Sequence, residues 1–164
     1  MAYVLEPLLD IRRKREDEMA QQVTRARQDI QTAETERDEA KRRQEAFDRE
    51  LPERKERLYA TVIHVVVKRE QIDKMKEALA DLERQHLALA ERVNQAENRV
   101  VQAQQALEDA QRNLLLATKN TMKLDTHKEA WLEEEKRIEA ENAEKELEDL
   151  HPQLALVGED DDSI

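Results

Sequence analysis

A phase that does not slip is the feature that most limits what this chain can fold into. Counting alternately three and four residues from Ile72 leads through Met75, Leu79, Leu82 and so on to Trp131 and Ile138, and sixteen of the twenty positions are apolar. His86, Thr121, Lys128 and Glu135 are the polar exceptions. An apolar repeat of 3.5 residues held this long describes a helix with one narrow seam, wound against a partner helix.

The first half repeats the pattern from Met19 through Val23, Ala26, Ile30, Ala33, Ala40 and Phe47 to Leu51, with Arg37 and Gln44 as its polar positions. Upstream, Leu8 and Ile11 fall in another phase, which predicts a stutter between Arg15 and Met19 that locally relaxes the supercoil. Pro7 suits a first helical turn, where its missing N–H costs nothing. The seams also alternate in size. Ala96, Ala103, Ala110 and Ala117 interleave with Val93, Val100, Leu107 and Leu114, while Ala26, Ala33 and Ala40 recur in the first half. Small residues at every second layer let two helices approach closely.

Composition excludes the common alternatives. Of the 164 residues 41% are charged and 2% aromatic, too few large apolar side chains for a globular core. Cysteine is absent, which fits a reducing compartment. No apolar run approaches the ~20 residues a bilayer requires. The N-terminal "MAYVLEPLLDIRRKR" places its basic residues after its apolar ones, the reverse of a secretory signal. A soluble, cytoplasmic chain is expected, with no direct membrane insertion. The formal charge of −11 is carried entirely by residues 129–162, which hold fourteen acidic and three basic residues. A body with no net charge has no general attraction to a polyanion, so nucleic acid is not an expected partner.

Between the two seams lies "YATVIHVVVKRE", residues 59–70, in which Thr61, Val62, Ile63, Val65, Val66 and Val67 are β-branched. Such side chains are stiff in a helix and favour extended backbone. Pro52 is the other candidate for a reversal, but a turn there would strip helix two of its partner beyond about residue 100. A turn near residue 66 matches both seams almost to their ends. The expectation is an all-α fold, a long antiparallel two-helix coiled-coil hairpin over residues 1–150. Helix one covers about 5–63, the bend about 64–68 and helix two about 69–150, with an acidic, disordered tail at 151–164. Arms of ~60 residues would each extend ~90 Å at 1.5 Å per residue and enclose no pocket.

Enzyme chemistry finds no support. The single glycine, Gly158, excludes a Gly-rich phosphate loop, and His64, His86, His127 and His151 are too far apart in sequence to form a ligand pair. No metal and no cofactor is expected. Carboxylate runs such as Glu133–Glu135 are a solvated helix face, since catalysis needs them desolvated in a cleft. The basic run Arg12, Arg13, Lys14 and Arg15 reads as helix surface with acidic neighbours, or as the footprint of an acidic partner. A leucine-zipper reading would need one long helix after the basic run, and here there are two. His86 reads as a polar seam layer that fixes register.

Two groups of residues stand out as candidate contact surfaces. At the bend, Leu58, Tyr59, Val62, Ile63, Val65, Val66, Val67 and Ile72 leave apolar surface with no third layer to cover it, unless they only seal the seam against one another. At the other end, Trp131 either staples the N-terminus by packing on Leu5, Leu8 or Leu9, or anchors a partner.

Three segments carry a family resemblance: "LEPLLDIRRKRED" at the N-terminus, "RLYATVIHVVVKREQIDKM" in the middle and "HKEAWLEEEKRIEAENAEKELEDL" towards the C-terminus. In order and spacing they resemble the central stalk family of type III secretion systems, the YscO or SctO proteins of injectisomes, relatives of flagellar FliJ. The most specific residues are Leu5-Glu6-Pro7-Leu8 and His127-Lys128-x-x-Trp131. The resemblance implies a hairpin like the paired helices of the gamma subunit in rotary ATP synthases. It implies that the end bearing both termini enters the hexameric secretion ATPase, and that the bend meets the cytoplasmic domain of the export gate membrane protein. Escort of empty secretion chaperones is implied as well. Leu8, Ile11, Arg12, Arg13, Arg15, His127 and Trp131 would then lie at the ATPase end and the bend residues at the gate end. The chain departs from the family at its bend, where relatives tend to have small polar residues. The expected role is a non-enzymatic stalk at the cytoplasmic side of the membrane-bound apparatus. The competing expectation is a chaperone or scaffold hairpin that holds clients at its apolar tip.

Overall fold

The computed structural model describes residues 2–157, with side chains described from Ala2 to Asp149; the acidic stretch Glu159–Asp162 lies outside the described residues. Two helices account for most of it, α1 over Glu6–Ala60 and α2 over Arg69–Val157, and no strand occurs among the described residues. They pack antiparallel as a coiled-coil hairpin. The contacts fall into two compact units, residues 20–113 and residues up to Met19 together with those from Leu114 onward.

Within residues 20–113 the seam is the predicted one. Val23, Ala26, Ala33 and Phe47 of α1 are buried, as are Leu82, Val93, Ala96, Val100 and Ala110 of α2. Register is written in the cross-helix ion pairs, whose α2 number falls as the α1 number rises. Glu36 meets Arg99 at 3.2 Å, Lys41 meets Glu97 at 2.9 Å, Asp48 meets His86 at 3.0 Å and Lys55 meets Glu83 at 3.1 Å. Asp48 and His86 are equidistant in sequence from Val67, and Lys55 and Glu83 from Arg69. This register sets Ala33 level with Ala103 and Ala40 level with Ala96, so thin layers alternate with thick ones as the seams require. The ion pairs are exposed and contribute at most ~1 kcal/mol each, so they select a register more than they stabilise it. His86 is a working polar layer: its ring also stacks at 6.4 Å on Phe47, over which Arg54 lies at 5.4 Å.

The chain leaves helical geometry three residues earlier than expected, after Ala60. Pro52 lies inside α1. Carbonyls at the end of α1 are closed locally: Leu58 O accepts the Thr61 hydroxyl at 2.7 Å, and Tyr59 O accepts the amides of Val62 and Ile63 at 3.1 and 3.0 Å. His64 then takes a left-handed conformation, φ 61°, which is the usual way to end a helix but is normally assigned to glycine. Lys68 caps α2. Its N–H donates to Gln71 Oε1 at 2.9 Å while its carbonyl accepts the Gln71 amide at 2.9 Å, half of a capping box.

In the unit of residues up to Met19 and from Leu114 onward, the inward positions are Leu5, just before α1, and Leu9, Arg12, Glu16 and Met19 within it. They keep the same alternation of four and three as the rest of α1, so the predicted stutter is absent. Leu8 and Ile11 point outward instead. Two polar residues hold seam places: Glu16 Oε1 accepts the Thr118 hydroxyl at 2.8 Å, and Arg12 is half-buried. The apolar appearance of Leu8 and Ile11 had hidden this.

Candidate partner-binding surfaces

Near the termini, the residues before α1 fold onto α2 and seal it. The Tyr3 hydroxyl lies 2.7 Å from Nδ1 of His127, and its ring stands 5.4 Å from Trp131 and 5.8 Å from His127. Lys128 Nζ meets the Glu6 carboxylate at 2.7 Å, and Arg13 donates to Asp125 at 2.9 Å. The chain enters the helix through a turn in which the Glu6 amide donates to Tyr3 O at 3.1 Å. Beneath these contacts Leu9 is 0% exposed. Its complete burial is worth ~1.5–3 kcal/mol.

The predicted terminal residues therefore divide in two. His127 and Trp131 are committed to Tyr3, which no repeat contains; Trp131 staples the N-terminus through the Tyr3 ring. Leu8 and Ile11 are uncovered, 38% and 61% exposed, with Arg13 and Arg15 exposed beside them. Val4 is also exposed. Arg13 reaches across to Asp125, so part of the basic run is tied to α2. Tyr3 and Glu6 are the residues that periodicity missed, while Lys128 stands in the seam count without its partner. Tyr3 precedes the helix and so belongs to no repeat, while the Glu6–Lys128 pair becomes visible only once the register is known.

At the bend, within residues 20–113, Tyr59, Ile63, Val65 and Val66 are exposed, and Val66 fully so. Leu58, Val62, Val67 and Ile72 are half-buried and close the end of the seam. The eight predicted bend residues are thus split between a sealing layer and an outward patch. Among the described residues no group of three or more His, Cys, Asp or Glu side chains is placed to hold a metal ion, and no helix is long and apolar enough to cross a membrane.

No curated protein matches the chain at a significant level. A solved structure described as a YscO homolog from Chlamydia trachomatis superposes with a TM-score of 0.76 at 25% identity, covering 98% of this chain and 99% of that one. The family model for the type III secretion protein YscO matches residues 5–153. That match takes in both helices, the bend and the Glu6–Lys128 closure. The chain belongs to the YscO family of type III secretion proteins.

Proposed function

We propose that this chain is the coupling stalk of the secretion apparatus, linking its hexameric ATPase to the export gate and escorting secretion chaperones from the cytoplasmic side. The observation that carries this reading is the outward pair Leu8 and Ile11. Both are leucine-class side chains left in solvent on a turn whose opposite side is closed by Leu9 and Tyr3, and both are flanked by the exposed Arg13 and Arg15. Apolar surface rimmed by guanidinium groups is the composition of an interface centre. His127 and Trp131 hold the start of α1 in place through Tyr3.

Mechanically, a two-helix hairpin has no rotational symmetry, whereas a hexameric ring has nearly six-fold symmetry. Contact with the hairpin makes the ring's subunits inequivalent, and each hydrolysis event changes which subunit the hairpin favours. The chain itself performs no catalysis in this scheme. Titrating the purified chain into the cognate ATPase, with hydrolysis and ring assembly as readouts, tests it. A chain that alters neither is not the stalk.

One observation favours a second reading, a chaperone or scaffold hairpin: the exposed valines at the bend would also suit a client's apolar segment. The terminal unit separates the two. A client-holding hairpin tolerates Trp131→Ala and charge reversal of Arg12 to Arg15, whereas a stalk loses its ATPase while keeping its helicity.

A further inference from the structure

Past the Tyr3 closure α2 runs on without α1 beside it, and every described side chain from Lys136 to Asp149 is exposed. A second apolar stripe crosses this stretch. Counting by sevens from Leu115 reaches Met122, Glu129, Lys136 and Ala143, while Leu132, Ala140 and Leu147 each stand three or four residues from a member of that count, on the same stripe. None belongs to the seam with α1, which passes through Ala117, Thr121 and Leu124 to Trp131. All six apolar members are exposed, Leu115 at 55%, Met122 at 61% and Leu147 at 66%. The stripe is mirrored about Trp131: Leu115 and Leu147 are equidistant from it in sequence, and so are Met122 and Ala140. Charge across the same mirror is opposite in sign. Residues 116–123 hold Lys119 and Lys123 and no acidic residue, whereas residues 139–146, as far from Trp131 on its other side, hold four glutamates and one lysine. Both lysines are exposed, and neither forms an ion pair among the described residues.

We infer that two copies of the chain associate through this stripe, as an antiparallel two-fold pair of α2 helices centred near Trp131. In a two-fold contact each residue meets its mirror position on the other copy. Leu115 then meets Leu147, Met122 lies over the smaller Ala140, and Lys119 and Lys123 lie among Glu139, Glu144 and Glu146 of the second copy. The two helices touch from residue 115 to residue 147, over about 50 Å at 1.5 Å per residue. Charge selects both the occupant and its direction. A uniformly basic partner is repelled along the lysines and a uniformly acidic one along the glutamates, whereas an antiparallel second copy answers both halves. A parallel pair would set glutamates against glutamates. The pairing needs no other component, so the purified chain alone reports on it.

Sedimentation velocity of the full chain tests the pairing, with a dimer expected to grow in over roughly 1–100 μM. Leu115→Glu weakens it ~10-fold or more. Its circular dichroism stays that of the wild type, because the position is exposed and glutamate is a good helix former. Lys119→Glu together with Lys123→Glu weakens the dimer ~5-fold or more, and adding Glu139→Lys and Glu144→Lys to the same chain restores it to within ~3-fold. Register is read by cross-linking, since the natural chain has no cysteine. Leu115→Cys mixed with Leu147→Cys yields a disulfide between copies on mild oxidation, while neither variant alone does, its two thiols lying far beyond bonding reach. A chain that stays monomeric up to ~200 μM overturns the inference. So does a dimer that keeps its affinity in Leu115→Glu or gives no mixed disulfide, because the contact then lies on another face or in another register.

Discussion

The hydroxyl of Tyr3 lies 2.7 Å from Nδ1 of His127, a residue 124 positions further along the chain. Because Tyr3 precedes α1, this contact decides whether the chain's first residues are fixed to α2 or free. Its ring is buried against Trp131, the single tryptophan of the sequence. Tryptophan emission therefore reports on this closure alone. Tyr3→Phe is expected to cost about 1 kcal/mol, one hydrogen bond, with an unchanged emission maximum. Tyr3→Ala is expected to cost about 3 kcal/mol and to shift the emission to the red as Trp131 meets water. Urea titration followed by fluorescence and by circular dichroism checks both. An Ala variant with wild-type emission would show that the staple does not form.

Leu8 and Leu9 are adjacent and chemically identical, yet one is 38% exposed and the other 0%. Leu9→Ala should cost about 2–5 kcal/mol through lost burial and the cavity left behind. Leu8→Ser and Ile11→Ser should each change stability by less than about 0.5 kcal/mol. Binding should invert this order, since the exposed pair is the proposed ATPase surface. Equal losses of stability from Leu8 and Leu9 would restore the discarded phase.

That inversion also shows what the sequence could and could not disclose. From Met19 to Leu51 and from Ile72 to Glu135 every seam position is buried or half-buried, because the repeat there holds one phase throughout, and apolar residues outside it such as Leu87, Val101 and Leu115 face outward. In the first turns of α1 the true seam includes Arg12 and Glu16 while Leu8 and Ile11 face outward, so polarity pointed the wrong way. Only the partner helix decides such a case: Thr118 accepts Glu16 as a neighbour, and no pattern within α1 contains that fact. The Tyr3 staple was illegible for a different reason, since a residue outside the helix has no periodicity to betray it. The valine run did announce that something ends there. It did not announce that His64 would take the left-handed conformation, because the run contains neither glycine nor asparagine to mark the position.

His64 is accordingly a position where substitution should improve stability. A residue with a Cβ held at positive φ costs roughly 1–2 kcal/mol, and glycine removes that cost while adding about 0.5–1 kcal/mol of unfolded-state entropy. His64→Gly should stabilise the hairpin by about 0.5–1 kcal/mol, and His64→Val should destabilise it by at least as much. Equilibrium denaturation distinguishes the two signs. A glycine variant less stable than the wild type would mean that His64 makes compensating contacts.

Pro52 lies inside α1, four residues after Asp48. A proline there supplies no N–H to the Asp48 carbonyl and crowds it, while the Asp48 side chain is engaged with His86 at 3.0 Å. Relaxing the first of these features should leave the second intact, because the ion pair depends on the register of the two helices and not on the Asp48 carbonyl. Pro52→Ala should therefore stabilise the hairpin, by about 1–3 kcal/mol given the penalty of an internal proline. A double-mutant cycle between Asp48→Ala and His86→Ala should return the same coupling, about 0.5–1 kcal/mol, whether residue 52 is proline or alanine. If the coupling instead vanishes in the alanine background, Pro52 is what aims Asp48 at His86, and the proline is there to set the register.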